Sequence, residues 1–315
     1  MDRPTVSIII CTRDRAQSLR ATLASVAGTN VPPELDVELV VVDNGSRDTT
    51  AAVVREQQNA PDLPLRCVSE PLAGLSNARN AGLRHTKSEV ILFTDDDVRV
   101  PADWITGMCR PILSGEADAV AGGVQFPPEY EAPLSSGPIR YRRGWLASTE
   151  SVDPRDPRTL VGANMAFSRR VAETLGGFDP ELGAGAAGFG EESLFADRAV
   201  AAGFRIKGAL EVGVVHRFDL SRLTLAALVK MAERMGRSTA YVDYHWHYAD
   251  ARPARAKAFT ARLLLAWERL LRPWRAFTDQ GTWQVTQRVM TWAYWHQLDA
   301  YANQPRRYPR SPSPS

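Results

Sequence analysis

The chain of 315 residues is long enough for one large domain or two modest ones, and 44% hydrophobic and 23% charged residues are typical of a folded globular protein. Its 22 Gly and 21 Pro follow no period and its three cysteines are too few for a disulfide framework, which excludes disordered, collagen-like and disulfide-rich classes. The net charge of +2 divides into −6 over residues 1–250 and +8 over residues 251–315, where 11 Lys and Arg stand against 3 Asp and Glu.

The first hundred residues alternate short β-rich segments with helical ones. Strands are predicted at 6–11, 37–42, 65–69 and 89–94, and helices at 15–26, 48–57 and 76–84. This alternation predicts a parallel sheet with helical crossovers, in which ligands bind at the carboxyl ends of the strands. Polar residues follow each predicted strand: Thr12, Arg13, Asp43, Glu70 and Asp95 to Asp97.

The rest of the chain is more varied. Residues 126–160 show no clear period and predict an extended loop region, whereas the following pattern predicts strands at 161–168 and 211–215 and helices at 169–175, 191–202, 222–248, 254–272 and 281–302. Within the Gly/Ala-rich segment 183–190, residues 183–188 match the letters of the dinucleotide fingerprint G-x-G-x-x-G. No strand precedes it and two glutamates follow it, so it is interpreted as a loop. Residues 305–315 predict a disordered tail.

Asp95, Asp96 and Asp97 are the strongest chemical signal in the sequence. Three carboxylates at the end of a buried strand repel one another unless a cation lies among them, and such oxygen ligands suit Mg²⁺ or Mn²⁺. Strand alternation places Asp95 and Asp97 on one side and Asp96 on the other. A solvated acidic turn is the alternative if this motif is taken alone.

The motif belongs to an ordered series. VSIIICTRDR, LVVVDNGSRD, GLSNARNAGL, ILFTDDDV, GANMAFSRR, GGFDP, GEESLFADR and a strand ending in His follow one another over about residues 5–220. This series resembles family 2 glycosyltransferases of the GT-A fold. The resemblance implies an α/β fold, with a Rossmann-like, mostly parallel sheet flanked by helices. It also implies a nucleotide-sugar-binding and catalytic domain over 1–220, a helical C-terminal extension over 221–304 and the tail 305–315.

The resemblance assigns roles to particular residues. Asp43 would accept a hydrogen bond from the donor base, although a helix N-cap is its alternative role, and Asp97 and His216 would hold the metal ion, with Asp95 touching the metal or the ribose. The other expected nucleotide-sugar contacts are Thr12, Arg13, Arg79, Asp96 and Asn164; Arg79 is equally well explained as a surface cation.

The general base is expected at Glu192, with Glu191 as the second choice. The family usually has Glu-Asp where this chain has Glu191-Glu192, and the extra methylene moves the second carboxylate by about 1.5 Å. Acidic residues that stabilise a helix N-terminus are the alternative interpretation.

The acceptor side is less defined by sequence. Tyr141, Arg143 and Trp145, in the 126–160 region, are the expected acceptor contacts. Five of the eight tryptophans lie in the basic C-terminal segment, and two interpretations stay open for them: a peripheral membrane contact, or packing against the catalytic domain or a second subunit. The acidic first 250 residues disfavour nucleic acid as a partner.

The resulting prediction is an inverting, metal-dependent glycosyltransferase that moves a sugar from a nucleotide diphosphate to an acceptor hydroxyl. UDP, dTDP and GDP donors all stay open, because a carboxylate can pair with uracil, thymine or guanine. The alternatives are a sugar-1-phosphate nucleotidyltransferase and a catalytically silent sugar-nucleotide-binding or scaffold protein. Few cysteines and no visible signal peptide or membrane span predict a cytoplasmic protein, with the inner face of the membrane as a site of peripheral contact.

Overall fold

The structure is a computed structural model that describes residues 3–58, 63–135, 143–150, 152–153, 160–271 and 278–310. Its strands are β1 (Thr5–Thr12), β2 (Asp36–Asp43), β3 (Leu65–Ser69), β4 (Val90–Asp95), β5 (Val98–Arg99), β6 (Ala119–Gln125), β7 (Asn164–Ser168) and β8 (Ile206–His216). They form one sheet in the order β3-β2-β1-β4-β7-β6-β8-β5.

The sheet is parallel in its first half and mixed in its second. β1 pairs in parallel with both β2 and β4, and β2 pairs in parallel with β3. β7 is antiparallel to β4 and β6, whereas β6 and β8 are parallel and β5 is antiparallel to β8. β1 to β4 lie where the sequence predicts them, with ends shifted by at most one residue, whereas the two-residue strand β5 was not predicted.

Helices and short turns connect the strands. The helices are α1 (Ala16–Ala27), α2 (Thr50–Gln58), α3 (Leu75–Arg84), α4 (Trp104–Leu113), α5 (Glu131–Ser135), α6 (Arg169–Leu175), α7 (Glu191–Ala201), α8 (Leu225–His245), α9 (Ala254–Leu271) and α10 (Asp279–Tyr301). The region predicted as an extended loop contains α5 and two short 3₁₀ turns, at Pro128–Tyr130 and Arg143–Leu146. None of the described helices has both the length and the apolar character needed to cross a membrane.

Both faces of the sheet are buried. Ile8 and Ile10 belong to one apolar cluster together with Leu19 and Leu23 of α1, while Ile9 belongs to a second cluster with residues of α3 and α7. A strand that is covered on both faces reads as a continuous apolar run, which explains why β1 and β2 were recognisable in the sequence. The parallel pairing also aligns the ends of β1 and β2, since Thr12 lies opposite Asp43.

The chain divides into two compact units. The first contains the sheet and comprises Met1–Pro127, Leu146–Glu181 and Glu191–Phe218; the second comprises Pro128–Trp145, Leu182–Gly190 and Asp219–Ser315. The sequence predicts one boundary between the catalytic domain and the helical extension, at residue 220. The structure assigns two further segments, 128–145 and 182–190, to the helical unit.

The end of the chain differs from the predicted disordered tail. The guanidinium of Arg306 lies 3.5 Å from the ring centroid of Tyr244, and its Nη2 donates to the Ala249 carbonyl at 2.9 Å. Tyr248 donates a hydrogen bond to the carbonyl of Tyr308. Residues 305–310 therefore lie against the end of α8. The contacts are made by Arg and Tyr side chains, through cation–π interactions and hydrogen bonds, and so do not require apolar residues. Residues 311–315 lie outside the described part.

Candidate active site

The carboxyl ends of β1 and β2 are fixed by contacts between the loops that follow them. Asp14, which has a positive φ of 53°, donates its backbone N–H to Ser46 Oγ at 3.0 Å and accepts the Arg47 N–H at 2.6 Å. Asp48 Oδ2 accepts the Ala16 N–H at the start of α1. A non-glycine residue with positive φ carries backbone strain, which these contacts hold in place. The loops thus form one rigid edge.

Arg15 lies in the centre of the aspartate cluster. Its Nη1 contacts Asp96 Oδ1 at 3.1 Å and Asp97 Oδ2 at 2.5 Å, and Thr12 Oγ1 donates to Asp96 Oδ2 at 2.7 Å. Burial raises the pKa of Asp96 to about 7, against the opposing charge of Arg15. Sequence reasoning missed Arg15, although its position three residues after the end of β1 was a usable signal.

The prediction that Asp96 lies on the opposite side from Asp97 is wrong. Strand alternation holds only inside a strand, and β4 ends at Asp95, so Asp96 and Asp97 belong to the turn before β5. Both side chains are buried and both contact Arg15. Asp96 therefore belongs to the same charged cluster as Asp97.

Asp97 and His216 form the pair expected to hold a metal ion. His216 Nδ1 lies 2.9 Å from the Leu146 carbonyl oxygen, so Nδ1 carries the proton and donates it, and Nε2 lies 3.3 Å from Asp97 Oδ1. An unprotonated Nε2 and a carboxylate oxygen repel each other unless a proton or metal cation lies between them. Metal-binding histidines commonly donate their second N–H to a backbone carbonyl in this way.

The donor set therefore fits a divalent cation. His216 and Arg15, through hydrogen bonds and charge, lower the pKa of Asp97 despite the opposing effect of burial, and so keep it ionised. Asp95 interacts electrostatically with both Asp97 and His216. Within the described ranges, no three Asp, Glu, His or Cys side chains are already arranged around a common metal position. One oxygen of Asp97, Oδ2, is in contact with the guanidinium of Arg15.

Arg79 is a buried bridge between two carboxylates. It is only 3% exposed, its Nη1 donates to Glu191 Oε1 at 2.7 Å, and its Nη2 lies 3.6 Å from Asp95 Oδ1. Gly162 leaves the space for this guanidinium, since a Cβ at that position would overlap Nη2. From the sequence alone, Arg79 could be either a nucleotide contact or a surface cation. Because the side chain is buried, the role of surface cation is excluded.

Glu191 and Glu192 begin α7 but have different surroundings. The Glu191 carboxylate is buried and paired with Arg79, whereas Glu192 Oε2 is buried without a hydrogen-bond partner among the described residues. Burial, followed by the charge of Glu191, raises the pKa of Glu192 well above its ordinary value, and Arg79 opposes the shift. Glu192 thus has the raised proton affinity that suits a general base. The ion pair holds the Glu191 carboxylate beside Arg79.

Phe195 fixes the position of α7 against the sheet. Its ring lies 4.9 Å from that of Phe167 on β7 and 4.5 Å from that of Phe178. Phe195 and Phe167 are fully buried, so rotation of α7 would disrupt well-packed aromatic contacts. The two glutamates therefore keep distinct directions.

Asp43 and Arg13 remain available at the edge of the sheet. One oxygen of Asp43 accepts the Ser46 N–H at 2.9 Å and so closes the turn after β2; its other oxygen accepts no hydrogen bond from the described residues. The first turn of α2 is capped by Asp48 instead, which accepts the Thr50 N–H at 2.9 Å. Arg13 is exposed, and its Nε lies 3.8 Å from Asp14. Neither position conflicts with the predicted nucleotide contact.

Asn164 has a structural role that differs from the predicted nucleotide-sugar contact. It is fully buried, its Nδ2 donates to the carbonyls of Gly123 (2.9 Å) and Val212 (2.7 Å), and its Oδ1 accepts from Trp104 Nε1 at 2.8 Å. These bonds occupy both amide donors. Asn164 joins β6, β7, β8 and α4 in the core.

The predicted acceptor residues have three different outcomes. Tyr141 lies outside the described residues. Arg143 makes a bidentate ion pair with Glu131, at 3.2 and 3.0 Å. Trp145 is partly buried and packs against an apolar cluster of the helical unit that includes Leu265 and Val289. The aromatic content of this segment did not distinguish packing from recognition.

Comparison with known proteins identifies the family. The model of glycosyl transferase family 2 matches residues 7–176. The succinoglycan biosynthesis protein ExoM of Rhizobium meliloti (strain 1021) is 30% identical over 234 residues, which are 74% of this chain and 73% of that protein. The chain belongs to glycosyl transferase family 2. It is a glycosyltransferase, as the sequence predicts.

A second relative matches a shorter part of this chain. The glucosyl-dolichyl phosphate glucuronosyltransferase of Haloferax volcanii is 28% identical over 185 residues, 56% of this chain and 57% of that one.

Solved structures confirm the GT-A fold. The mannosyltransferase PcManGT from Pyrobaculum calidifontis, in complex with GDP-Man and Mn²⁺, is 24% identical with a TM-score of 0.61, and the match covers 94% of this chain and 87% of that one. Residues 1–349 of S. aureus TarS, in complex with UDP-GlcNAc, are 15% identical with a TM-score of 0.54, over 97% and 93% of the two chains. The predicted sheet with a helical C-terminal region is confirmed.

Proposed function

We propose that this glycosyltransferase moves a sugar from a nucleotide diphosphate to an acceptor hydroxyl, with a divalent cation and with inversion at the anomeric carbon. The main support is the unpartnered, buried carboxyl oxygen of Glu192, whose pKa is raised beside the Arg79 and Asp95 network. A group of this kind removes a proton from an attacking hydroxyl efficiently. Catalysis by one base needs no covalent enzyme intermediate.

Glu192 acts on the acceptor and Glu191 holds the arrangement. As the acceptor oxygen attacks the anomeric carbon, Glu192 takes its proton; attack from the face opposite the leaving diphosphate inverts the configuration. Glu191 holds Arg79 in place, and Arg79 in turn lies beside Asp95. The pair therefore fixes α7 relative to the end of β4.

Asp97 and His216, with Asp95, would hold Mn²⁺ or Mg²⁺. The bound cation would neutralise charge that develops on the departing diphosphate. The charge balance of the site supports this assignment: five carboxyl groups, those of Asp95, Asp96, Asp97, Glu191 and Glu192, share the site with the guanidinium groups of Arg15 and Arg79. A bound cation would add positive charge beside the incoming diphosphate.

Asp43 would select the donor base through its free carboxylate oxygen. The structural neighbours include one protein bound to GDP-Man and another bound to UDP-GlcNAc, and their fold is shared by this chain. A carboxylate pairs with the N–H of uracil, thymine or guanine, so UDP, dTDP and GDP sugars are the donors to test.

Donor hydrolysis tests the proposal without a known acceptor, because water replaces the hydroxyl. Full-length protein is incubated with α-linked UDP-glucose, UDP-GlcNAc or GDP-mannose, with Mn²⁺ or with chelator, and the released sugar is examined by proton NMR before it mutarotates. We expect the β anomer from one donor, in the Mn²⁺ sample only. Release of the α anomer would contradict inversion, and equal release with chelator would contradict metal dependence.

Nucleotide binding separates an enzyme from a catalytically silent protein. In a thermal-shift panel of UDP, dTDP and GDP with Mn²⁺, a ligand at 100 times its Kd adds about 2.7 kcal/mol to the free energy of unfolding. Stabilisation without hydrolysis or transfer of any donor would favour a sugar-nucleotide-binding protein.

A further inference from the structure

Helix α9 carries an unusual concentration of exposed large apolar side chains. Six of the twelve large hydrophobic residues that are exposed in the described part of the chain lie on this helix of 18 residues. They form what we call the α9 apolar strip: Phe259 (64% exposed), Leu263 (54%), Leu264 (46%), Trp267 (43%), Leu270 (80%) and Leu271 (51%). Surface helices of globular proteins normally carry polar residues on their outer face.

The strip lies opposite the face that packs into the protein. The buried residues of α9 are Ala254, Ala261, Leu265 and Glu268, which recur at helical spacing and share one narrow stripe. At about 100° per residue, Phe259, Leu263 and Leu270 fall within about 40° of one another, on the side away from that stripe. Burial in the helical unit therefore does not explain the strip.

Cations flank the strip on both sides. In the same helical projection, Arg255 and Arg262 fall along one border and Lys257 along the other, and all three side chains are exposed. The single acidic residue of α9, Glu268, is fully buried on the opposite face. Lys257 keeps its ammonium 4.2 Å from the ring centroid of Trp295, so it is held near the border. The outer face of α9 is thus apolar in the middle and positive at the edges.

We propose that the α9 apolar strip docks on the surface of an anionic lipid bilayer, with the helix axis parallel to the membrane plane. Apolar side chains in such a helix enter the boundary between headgroups and acyl chains, while flanking Arg and Lys contact anionic headgroups. A second copy of the chain fits less well. Two strips packed face to face would bring Arg255, Arg262 and Lys257 of both copies together without an exposed acid on α9 to balance them.

Vesicle sedimentation tests the proposal with the full-length protein. Vesicles of phosphatidylcholine mixed with phosphatidylglycerol are compared with vesicles of phosphatidylcholine alone, and we expect at least about tenfold stronger binding to the mixed vesicles, weakened by added salt. L263Q/L270Q removes the centre of the strip and R255Q/R262Q removes one cationic border. Each double variant should lose about tenfold in binding to mixed vesicles.

L113Q is the matched control, because Leu113 is an exposed leucine at the end of α4 and belongs to the unit that contains the sheet. It should bind vesicles like the wild type. Unchanged melting temperatures and nucleoside diphosphate binding in all variants would show that they are folded.

Three results would overturn the proposal. The first is no binding of the wild type to mixed vesicles, and the second is equal binding to both kinds of vesicle. The third is unchanged vesicle binding by L263Q/L270Q together with loss of a dimer in sedimentation velocity, which would make the strip a subunit interface. Vesicle binding does not depend on sugar transfer, so these results are separate from those that test the reaction.

Discussion

Replacing Glu191 and Glu192 one at a time by glutamine should separate stability from catalysis. Glu191→Gln removes the charge that pairs with the buried Arg79 at 2.7 Å. Loss of one partner from a buried ion pair costs about 3–5 kcal/mol, and the lower value applies here because Asp95 lies 3.6 Å from Arg79 and the glutamine oxygen can still accept. At about 2–4 °C per kcal/mol, the melting temperature should fall by roughly 6–12 °C.

Glu192→Gln should impair catalysis without lowering the stability of the protein. Glutamine keeps the size of the side chain but cannot take a proton, so the rate of donor hydrolysis should fall by roughly 10²- to 10⁴-fold with the Kd for nucleoside diphosphate nearly unchanged. The folded protein disfavours the ionised form of Glu192, because the pKa of this carboxyl is raised from 4.5 by burial and by Glu191. Glutamine carries no such charge, and the variant should melt no lower than the wild type.

The raised pKa of Glu192 also predicts how the difference in stability between Glu192→Gln and the wild type depends on pH. A carboxyl whose pKa is higher in the folded than in the unfolded protein contributes stability below its unfolded pKa and loses it as pH rises through the folded pKa. The Glu192→Gln variant should therefore match the wild type near pH 4.5 and become relatively more stable above it. Melting curves over this range, with nucleoside diphosphate release as the activity assay, provide the check. A stable, inactive Glu191→Gln beside an active Glu192→Gln would refute the assignment of the base.

Three further variants test other parts of the site. Asp97→Asn should abolish the additional thermal stabilisation that Mn²⁺ gives with a nucleoside diphosphate, because it removes the carboxylate beside His216; an unchanged Mn²⁺ effect would move the metal elsewhere. Arg15→Gln should tighten Mn²⁺ binding to the nucleotide-free protein, measured by the electron paramagnetic resonance signal of free Mn²⁺, since a cation that contacts Asp97 is removed; weaker binding would contradict this competition. Trp145→Ala should reduce the free energy of unfolding by up to about 3 kcal/mol, because its partly buried ring packs in the helical unit, and so lower the melting temperature; an unchanged melting temperature with impaired acceptor use would instead support the predicted acceptor contact.

Local sequence patterns were sufficient to locate the first four strands, β1 to β4. The runs that form β1, β2 and β4 are apolar because both faces of the sheet are covered, and the polar residue that ends each run marks the functional edge. The same reasoning failed one residue later, at Asp96. Alternation predicts a direction only while the chain remains a strand, and the sequence does not reveal that the strand ends at Asp95.

The separate roles of Glu191 and Glu192 could not be read from two adjacent glutamates. Their difference comes from Arg79, which is 112 residues away along the chain and becomes a partner only when α3 and α7 pack near β4. Arg15 was missed for a related reason, because its contact with Asp97 spans 82 residues. Residue type and spacing identify which groups can perform the chemistry, whereas pairing between distant segments decides which of them does.

Asn164 gives a direct test of whether a motif residue binds substrate or supports the core. Asn164→Ala would leave the Gly123 and Val212 carbonyls and the Trp104 N–H unpaired in a fully buried position. At about 1–3 kcal/mol for each of the three unpaired groups, the free energy of unfolding should fall by roughly 3–9 kcal/mol. The melting temperature should then fall by at least about 6 °C. Asn164→Asp keeps the size and the acceptor for Trp104 but loses both donors, so it should also destabilise the protein. In whatever fraction stays folded at low temperature, the Kd for nucleoside diphosphate should be within about threefold of the wild type, which is under 1 kcal/mol. A normal melting temperature combined with lost nucleotide binding would return Asn164 to the donor pocket.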